Sequence, residues 1–209
     1  MNTYVSLYDQ INVIYEKTFF SKYEADIYYN LFESKLKYNS DEDSKIKIYG
    51  KSIKIPREQV AYGDVGTFYT FSGNKVTPRN WNSDECGRKL LLIKNKIEQY
   101  TGESFNFVLV NRYKDGNSYI GFHSDDEKDL DKSSSIMGLS LGSERNFLFK
   151  PNKLFIPKNI SSTISINLTH GSLIQIKSPT NEFWQHSIPK RANSKNPRIS
   201  LTFRCMKIS

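Results

Sequence analysis

Three histidines occur in the chain, His123, His170 and His186, and two of them lie in runs of β-forming residues, YIGFHSD and FWQHSIP. His123 and Asp125 are two residues apart, so an extended backbone points both side chains to one side. Such a pair chelates. His186, from a distant strand, would complete a face of two imidazoles and one carboxylate, the donor set that leaves three open positions on an octahedral Fe(II). Taken alone, two core histidines and a turn aspartate account for the same pattern, and His170, in the turn-like THG, reads as structural. The last β-forming run, RISLTFRC, sharpens the choice. Arg198, Ser200, Thr202 and Arg204 share one of its faces, and Ile199, Leu201, Phe203 and Cys205 share the other. With the apolar face under a helix layer, both arginines enter an interior where unpaired guanidinium groups are costly. A dicarboxylate would satisfy both, because guanidinium binds carboxylate bidentately. The alternative is a strand whose polar face meets solvent.

The elements that must position these residues are legible in outline. Ser21 and Glu24 form a capping-box signature, and Phe20, Tyr23, Ile27 and Leu31 follow at helical spacing, predicting a helix over 21–37. A second helix is expected from about Ser83 to Tyr100, with Cys86, Leu90, Ile93 and Ile97 as its apolar stripe and Gly102 as a left-handed C-cap. From Phe105 onward, eight short β-rich runs are separated by turn residues, and two more, KIKIYGKSIKIP and GTFYTFSG, lie between the helices as hairpins. The fold class read from this is mainly β with flanking helices, a double-stranded β-helix or jelly roll. Residues 1–45 read as an N-terminal extension with a helix, and 46–209 as the main domain, with hairpins at 46–75.

The 209 residues bury roughly 70% of the surface their unfolded chain exposes, enough that neither a disulfide nor a structural metal is needed. A metal would be there for chemistry. Cys86 and Cys205 lie far apart without a C-x-x-C pair, which excludes a disulfide scaffold and a zinc knuckle. No long apolar run or secretory pattern is present, so an intracellular protein away from membranes is expected. Thirty Lys and Arg against 22 Asp and Glu give a net charge of +8, which favours polyanions and makes nucleic acid the leading partner.

The runs NRYKDGNSYIGFHSDDE, SLGSERNFLFK, HGSLIQI, FWQHSIPK and PRISLTFR together resemble the AlkB family of Fe(II)/2-oxoglutarate oxygenases, in order and spacing, from about Ile46 to Arg204. PREQVAYGDVGTFYTFSG and TGESFNFVLVNRYKDG bring the resemblance nearest to the family's duplex-DNA demethylase branch. The resemblance implies His123, Asp125 and His186 as iron ligands. It implies Asn111 and Tyr113 as contacts to 2-oxoglutarate, with Arg198 on the distal carboxylate of this cosubstrate and Arg204 near its iron-proximal carboxylate and Asp125. It also implies a base pocket of Tyr69, Phe71 and Ser72, an acidic base-reading Glu127, and Tyr49 as a finger that fills the gap left by a flipped base. Ser200 stands where the family has asparagine, and Tyr49 where it has phenylalanine. The implied activity is oxidative demethylation of 1-methyladenine and 3-methylcytosine in alkylated DNA, duplex and single-stranded, releasing formaldehyde and succinate. Two rivals are the same oxidation on RNA and a non-catalytic nucleic-acid-binding module that retains the fold. The protein is expected to work as a monomer, in the nucleus if its cell is eukaryotic.

Overall fold

The computed structural model describes residues 3–4, 10–40, 45–48, 51–71, 74–153 and 163–207. Strands β1 (Thr3–Tyr4) and β2 (Val13–Glu16) precede α1 (Lys22–Lys35); β3 (Lys45–Ile48) and β4 (Lys51–Lys54) form one hairpin. β5 (Glu58–Gly63) is followed by a second hairpin, β6 (Tyr69–Phe71) with β7 (Asn74–Val76), then by β8 (Arg79–Asn80) and α2 (Glu85–Thr101). The remainder is β9 (Phe107–Tyr113), β10 (Ile120–His123), β11 (Ile136–Gly142), β12 (Arg145–Pro151), β13 (Ile164–Leu168), β14 (Leu173–Ile176), the short α3 (Thr180–Phe183), β15 (Trp184–Ile188) and β16 (Arg198–Arg204). All eight C-terminal β-rich runs are strands.

The helices form where the sequence places them. Glu24 N–H donates to Ser21 Oγ (3.2 Å) and Ser21 N–H donates to Glu24 Oε2 (3.0 Å), the reciprocal capping box that opens α1. Asp84, rather than Ser83, caps α2 by accepting from Gly87 N–H at 2.8 Å. Gly102 ends α2 at φ 72°, a conformation that glycine adopts without a Cβ penalty. Gly87 has a packing reason of its own, since a Cβ there would lie 2.4 Å from the Trp81 carbonyl oxygen.

The strands make a large sheet in the order β1-β2-β14-β11-β16-β9-β5-β8 and a small sheet in the order β10-β15-β12-β13. One core lies between the helices and the large sheet, where Phe32 of α1 and Leu90, Ile93 and Ile97 of α2 meet Ile199, Leu201 and Phe203 of β16. A second lies between the sheets, where Leu109, Ile174 and Ile176 meet Phe149, Trp184 and Ile188. Each buried side chain of this kind contributes roughly 1.5–3 kcal/mol. This is the jelly roll with a helix layer behind one sheet. Its consequence for β16 is direct: the odd-numbered apolar side chains occupy the helix-side core, so the arginine face points between the sheets rather than to solvent. β2 pairs with β14 and α1 shares the helix-side core, so part of the 1–45 segment is built into the same body as 46–209.

Candidate active site

β10 and β15 are antiparallel neighbours, and their register sets His123 directly opposite His186. Asp125 lies two residues beyond His123, past the strand end. Its carboxylate comes 3.8 Å from His123 Nε2 and 3.7 Å from His186 Nε2, and one ligand atom from each of the three residues lies within 4.8 Å of the others. His123 Nδ1 is 2.9 Å from the Gly121 carbonyl, which can only accept, so Nδ1–H donates to it and Nε2 is the ring nitrogen that faces Asp125. Phe147 stacks on His186, with ring centroids 5.1 Å apart, and fixes that ring's plane. Burial, reinforced by the neighbouring His123, pulls the His186 pKa down to about 3, so its imidazole is neutral and able to ligate. Burial works against ionisation of Asp125, but Arg204 and the two imidazoles outweigh it and hold the carboxyl at about 2.

β16 supplies the rest of the site from the opposite sheet. Arg204 Nη2 donates to Asp125 Oδ1 at 2.9 Å, and the guanidinium lies over the Tyr69 ring, 5.0 Å from its centroid. Arg198 Nη2 donates to Ser140 Oγ (2.9 Å) and Ser200 Oγ (3.3 Å), with the Tyr113 ring 5.2 Å away. Arg198 and Arg204 are only 2% and 4% exposed. Burial lowers the Arg198 pKa to about 10, which leaves it charged at neutral pH. A cavity of about 70 Å³ between the sheets is lined by Asn111, Tyr113, His123, Asp125, His186 and both arginines, among others. The residues fit a metal and a dicarboxylate. Two imidazoles and an ionised carboxylate converge on one point, and Nε and Nη1 of both Arg198 and Arg204 are buried without a hydrogen-bond partner among the described residues, a donor set suited to carboxylate oxygens.

Of the residues implicated in base binding, Tyr69 also lines this cavity and donates from its hydroxyl to Glu127 Oε1 at 2.7 Å. Burial raises the Glu127 pKa against the pull of Arg204, with Asp125 adding to the rise. Phe71 ends β6, though its side chain lies outside the described residues, as do Ser72 and Tyr49. Asp126 is exposed, in the irregular segment that follows β10. His170 is structural: its Nδ1 accepts from Gly142 N–H at 2.8 Å, and its Nε2 is 3.1 Å from Asp26 Oδ1.

Three residues escaped sequence reasoning. Ser140 faces Arg198 across the β11–β16 pairing. Arg57 Nε and Gln59 Nε2 both donate to Asn111 Oδ1, at 2.9 and 2.6 Å. No local pattern marks them; only the strand register, which brings β5 beside β9, places them at the site.

Fold and site define a class. The family model of the 2OG-Fe(II) oxygenase superfamily matches residues 30–204, and the chain belongs to that superfamily, whose metal and cosubstrate are Fe(II) and 2-oxoglutarate. The chain is 40% identical over 187 residues to the DNA oxidative demethylase ALKBH2 of Mus musculus, covering 88% of this chain and 76% of the relative. It is 39% identical over 187 residues to the Homo sapiens protein of the same name, covering 88% of this chain and 70% of the relative. The alpha-ketoglutarate-dependent dioxygenase alkB homolog 3 of Bos taurus is 36% identical over 155 residues, with 71% of this chain and 51% of the relative covered. Among solved structures, one titled "The structure of OsALKBH1" shares the fold at a TM-score of 0.55 and 14% identity, with 95% of this chain and 98% of that one covered.

Proposed function

We propose that this chain is an Fe(II)- and 2-oxoglutarate-dependent DNA oxidative demethylase that removes methyl groups from 1-methyladenine and 3-methylcytosine as formaldehyde, with succinate as co-product. One observation carries the reading: a buried His-Asp-His cluster shares a cavity with two guanidinium groups whose Nε and Nη1 donors have no partner among the described residues. The curated relatives with 39–40% identity bear the name DNA oxidative demethylase.

When bound, Fe(II) and 2-oxoglutarate would activate dioxygen, one oxygen atom going to succinate as the cosubstrate loses carbon dioxide and the other to the methyl group, which leaves as formaldehyde. The chain's own residues do the rest. His123, Asp125 and His186 hold the metal, and Arg204 keeps Asp125 anionic and aimed. Arg198 takes the distal carboxylate, Arg204 lies near the proximal one, and Asn111 and Tyr113 complete the cosubstrate contacts. Phe147, Ile174 and Ile188 give the cavity apolar walls that exclude water. Both target lesions are cationic, so Glu127, held by the Tyr69 hydroxyl, favours the alkylated base over the neutral normal one. Reaching such a base in a helix requires taking it out of the stack. In this reading Tyr69, Phe71 and Ser72 form the base pocket, and Tyr49 in the 46–75 hairpin segment fills the gap.

The same reading makes residues 46–209 the oxygenase domain, with 1–45 an N-terminal extension partly woven into it. It takes alkylated duplex and single-stranded DNA as substrates, and a monomer as the working form, inside the cell and in the nucleus of a eukaryote. No described helix is long and apolar enough to cross a membrane. The test is formaldehyde release from methylated duplex DNA, single-stranded DNA and RNA side by side. Release dependent on both 2-oxoglutarate and a methylated DNA strand supports the proposal, and release from RNA alone would replace it.

A further inference from the structure

We propose that Arg57 is a positioning residue that sets the polarity of the Asn111 side-chain amide and thereby turns its NH2 group toward 2-oxoglutarate. The proposal rests on the reading above, that Asn111 serves the cosubstrate. An asparagine amide has an oxygen end and a nitrogen end of nearly the same shape, and only its neighbours decide which way round it sits. Asn111 is at the centre of the large sheet, paired with Gln59 of β5 on one side and Ser200 of β16 on the other. Gln59 cannot settle the question, because its own amide turns as easily as that of Asn111.

Arg57 can. Its Nε–H is a donor that never becomes an acceptor, and it is 2.9 Å from the Asn111 side chain. The Asn111 atom facing it is therefore the oxygen. Gln59 approaches the same atom at 2.6 Å, so Gln59 must present its NH2. One irreversible donor thus orders two reversible amides in series. Both lone pairs of Asn111 Oδ1 are then used, and the end left for a ligand is Nδ2, which offers only donors. Carboxylate oxygens are acceptors only. The opposite orientation would set Oδ1 against a carboxylate, oxygen to oxygen.

Burial makes this arrangement persistent. Arg57 is 8% exposed and Asn111 7%, and both line the cavity that holds His123, Asp125 and Arg198. Water is thereby limited as a substitute partner for either amide. Arg57 also brings a positive charge, which would attract a dianion whether or not Asn111 were present. The two roles separate experimentally, because a charge effect persists when Asn111 is removed and a polarity effect does not.

The experiment titrates 2-oxoglutarate by calorimetry into Mn(II)-loaded protein, for wild type, Arg57→Met, Asn111→Ala and the double variant. Mn(II) binding without 2-oxoglutarate is measured for each. Arg57→Met and Asn111→Ala are each expected to weaken 2-oxoglutarate about tenfold, with the double variant no weaker than Asn111→Ala and Mn(II) affinity unchanged. In turnover, the 2-oxoglutarate KM should rise far more than kcat falls. Arg57→Gln can face Asn111 with either end, so it should show the same non-additivity and serves if the methionine variant is unstable. Losses that multiply in the double variant would show Arg57 acting directly by charge and overturn the proposal, as would full-strength binding by both Arg57 variants. Undiminished binding by Asn111→Ala would overturn the assignment of Asn111 itself, and this proposal with it.

Discussion

Arg198 and Arg204 sit six residues apart on one strand face and do different work. Arg204 is tied to Asp125, so its charge maintains the proposed metal ligand in its anionic form. Arg198 meets only serine hydroxyls and a tyrosine ring among the described residues, and is therefore free to pair with a ligand carboxylate. Lysine keeps the charge at 198 but loses the planar fork. Arg198→Lys should raise the 2-oxoglutarate KM at least tenfold and leave the DNA KM within about twofold, as read from succinate formation with each substrate varied in turn. An unchanged 2-oxoglutarate dependence would place the cosubstrate elsewhere. Alternation put the two arginines on one face of the strand but left open whether that face met solvent, and the packing of Ile199, Leu201 and Phe203 in the helix-side core decides it. Arg57 and Gln59 were not legible, since their relevance depends on which strand lies beside β9.

At the scale of elements, the capping box of α1 is a local sequence feature with a measurable share of stability. Ser21→Ala removes the acceptor for Glu24 N–H, so about 1 kcal/mol and a fall in Tm of roughly 2–4 °C are expected. The Glu24 carboxyl also carries a pH signature. Its hydrogen bond from Lys96, then those from Ser21, lower its pKa from 4.5 to about 2. A carboxylate with a depressed folded-state pKa stabilises above the unfolded value and loses that contribution as pH falls through the folded one. The Tm gap between wild type and Glu24→Gln should therefore be full at neutral pH and close between about pH 4.5 and pH 2, as followed by circular dichroism. A gap independent of pH would mean that the ion pair contributes nothing. Helix ends and strand runs were readable because caps, Gly102 and period-two patterns are local. The pairing that sets His123 opposite His186 joins residues 63 positions apart and has no local signature. For the same reason the pairing of Val13–Glu16 with β14 was not read from the N-terminal segment.

For the molecule as a whole, the proposed function depends on two sheets that carry complementary halves of one site: the candidate metal ligands on and just beyond β10 and β15, and the guanidinium groups on β16. In the proposed function the nucleic-acid side rests on the hairpins at 46–75. If Tyr49 fills the gap left by a flipped base, Tyr49→Ala should lose on the order of ten- to a hundredfold on methylated duplex DNA, because stacking an aromatic on bases is worth roughly 1–3 kcal/mol. A single strand has no helical gap, so its repair should fall much less, whereas Phe71→Ala should impair both. Equal losses for Tyr49→Ala on the two substrates would remove the finger assignment. In the proposed function His123, Asp125 and His186 hold a catalytic metal that the fold does not need for stability. The most direct test of this is formaldehyde release from methylated DNA, with Fe(II) and 2-oxoglutarate, by the three single alanine variants. Release should fall below roughly 1% of wild type for each variant, with circular dichroism showing the fold retained, whereas near wild-type release by any one folded variant would show that the residue holds no catalytic metal.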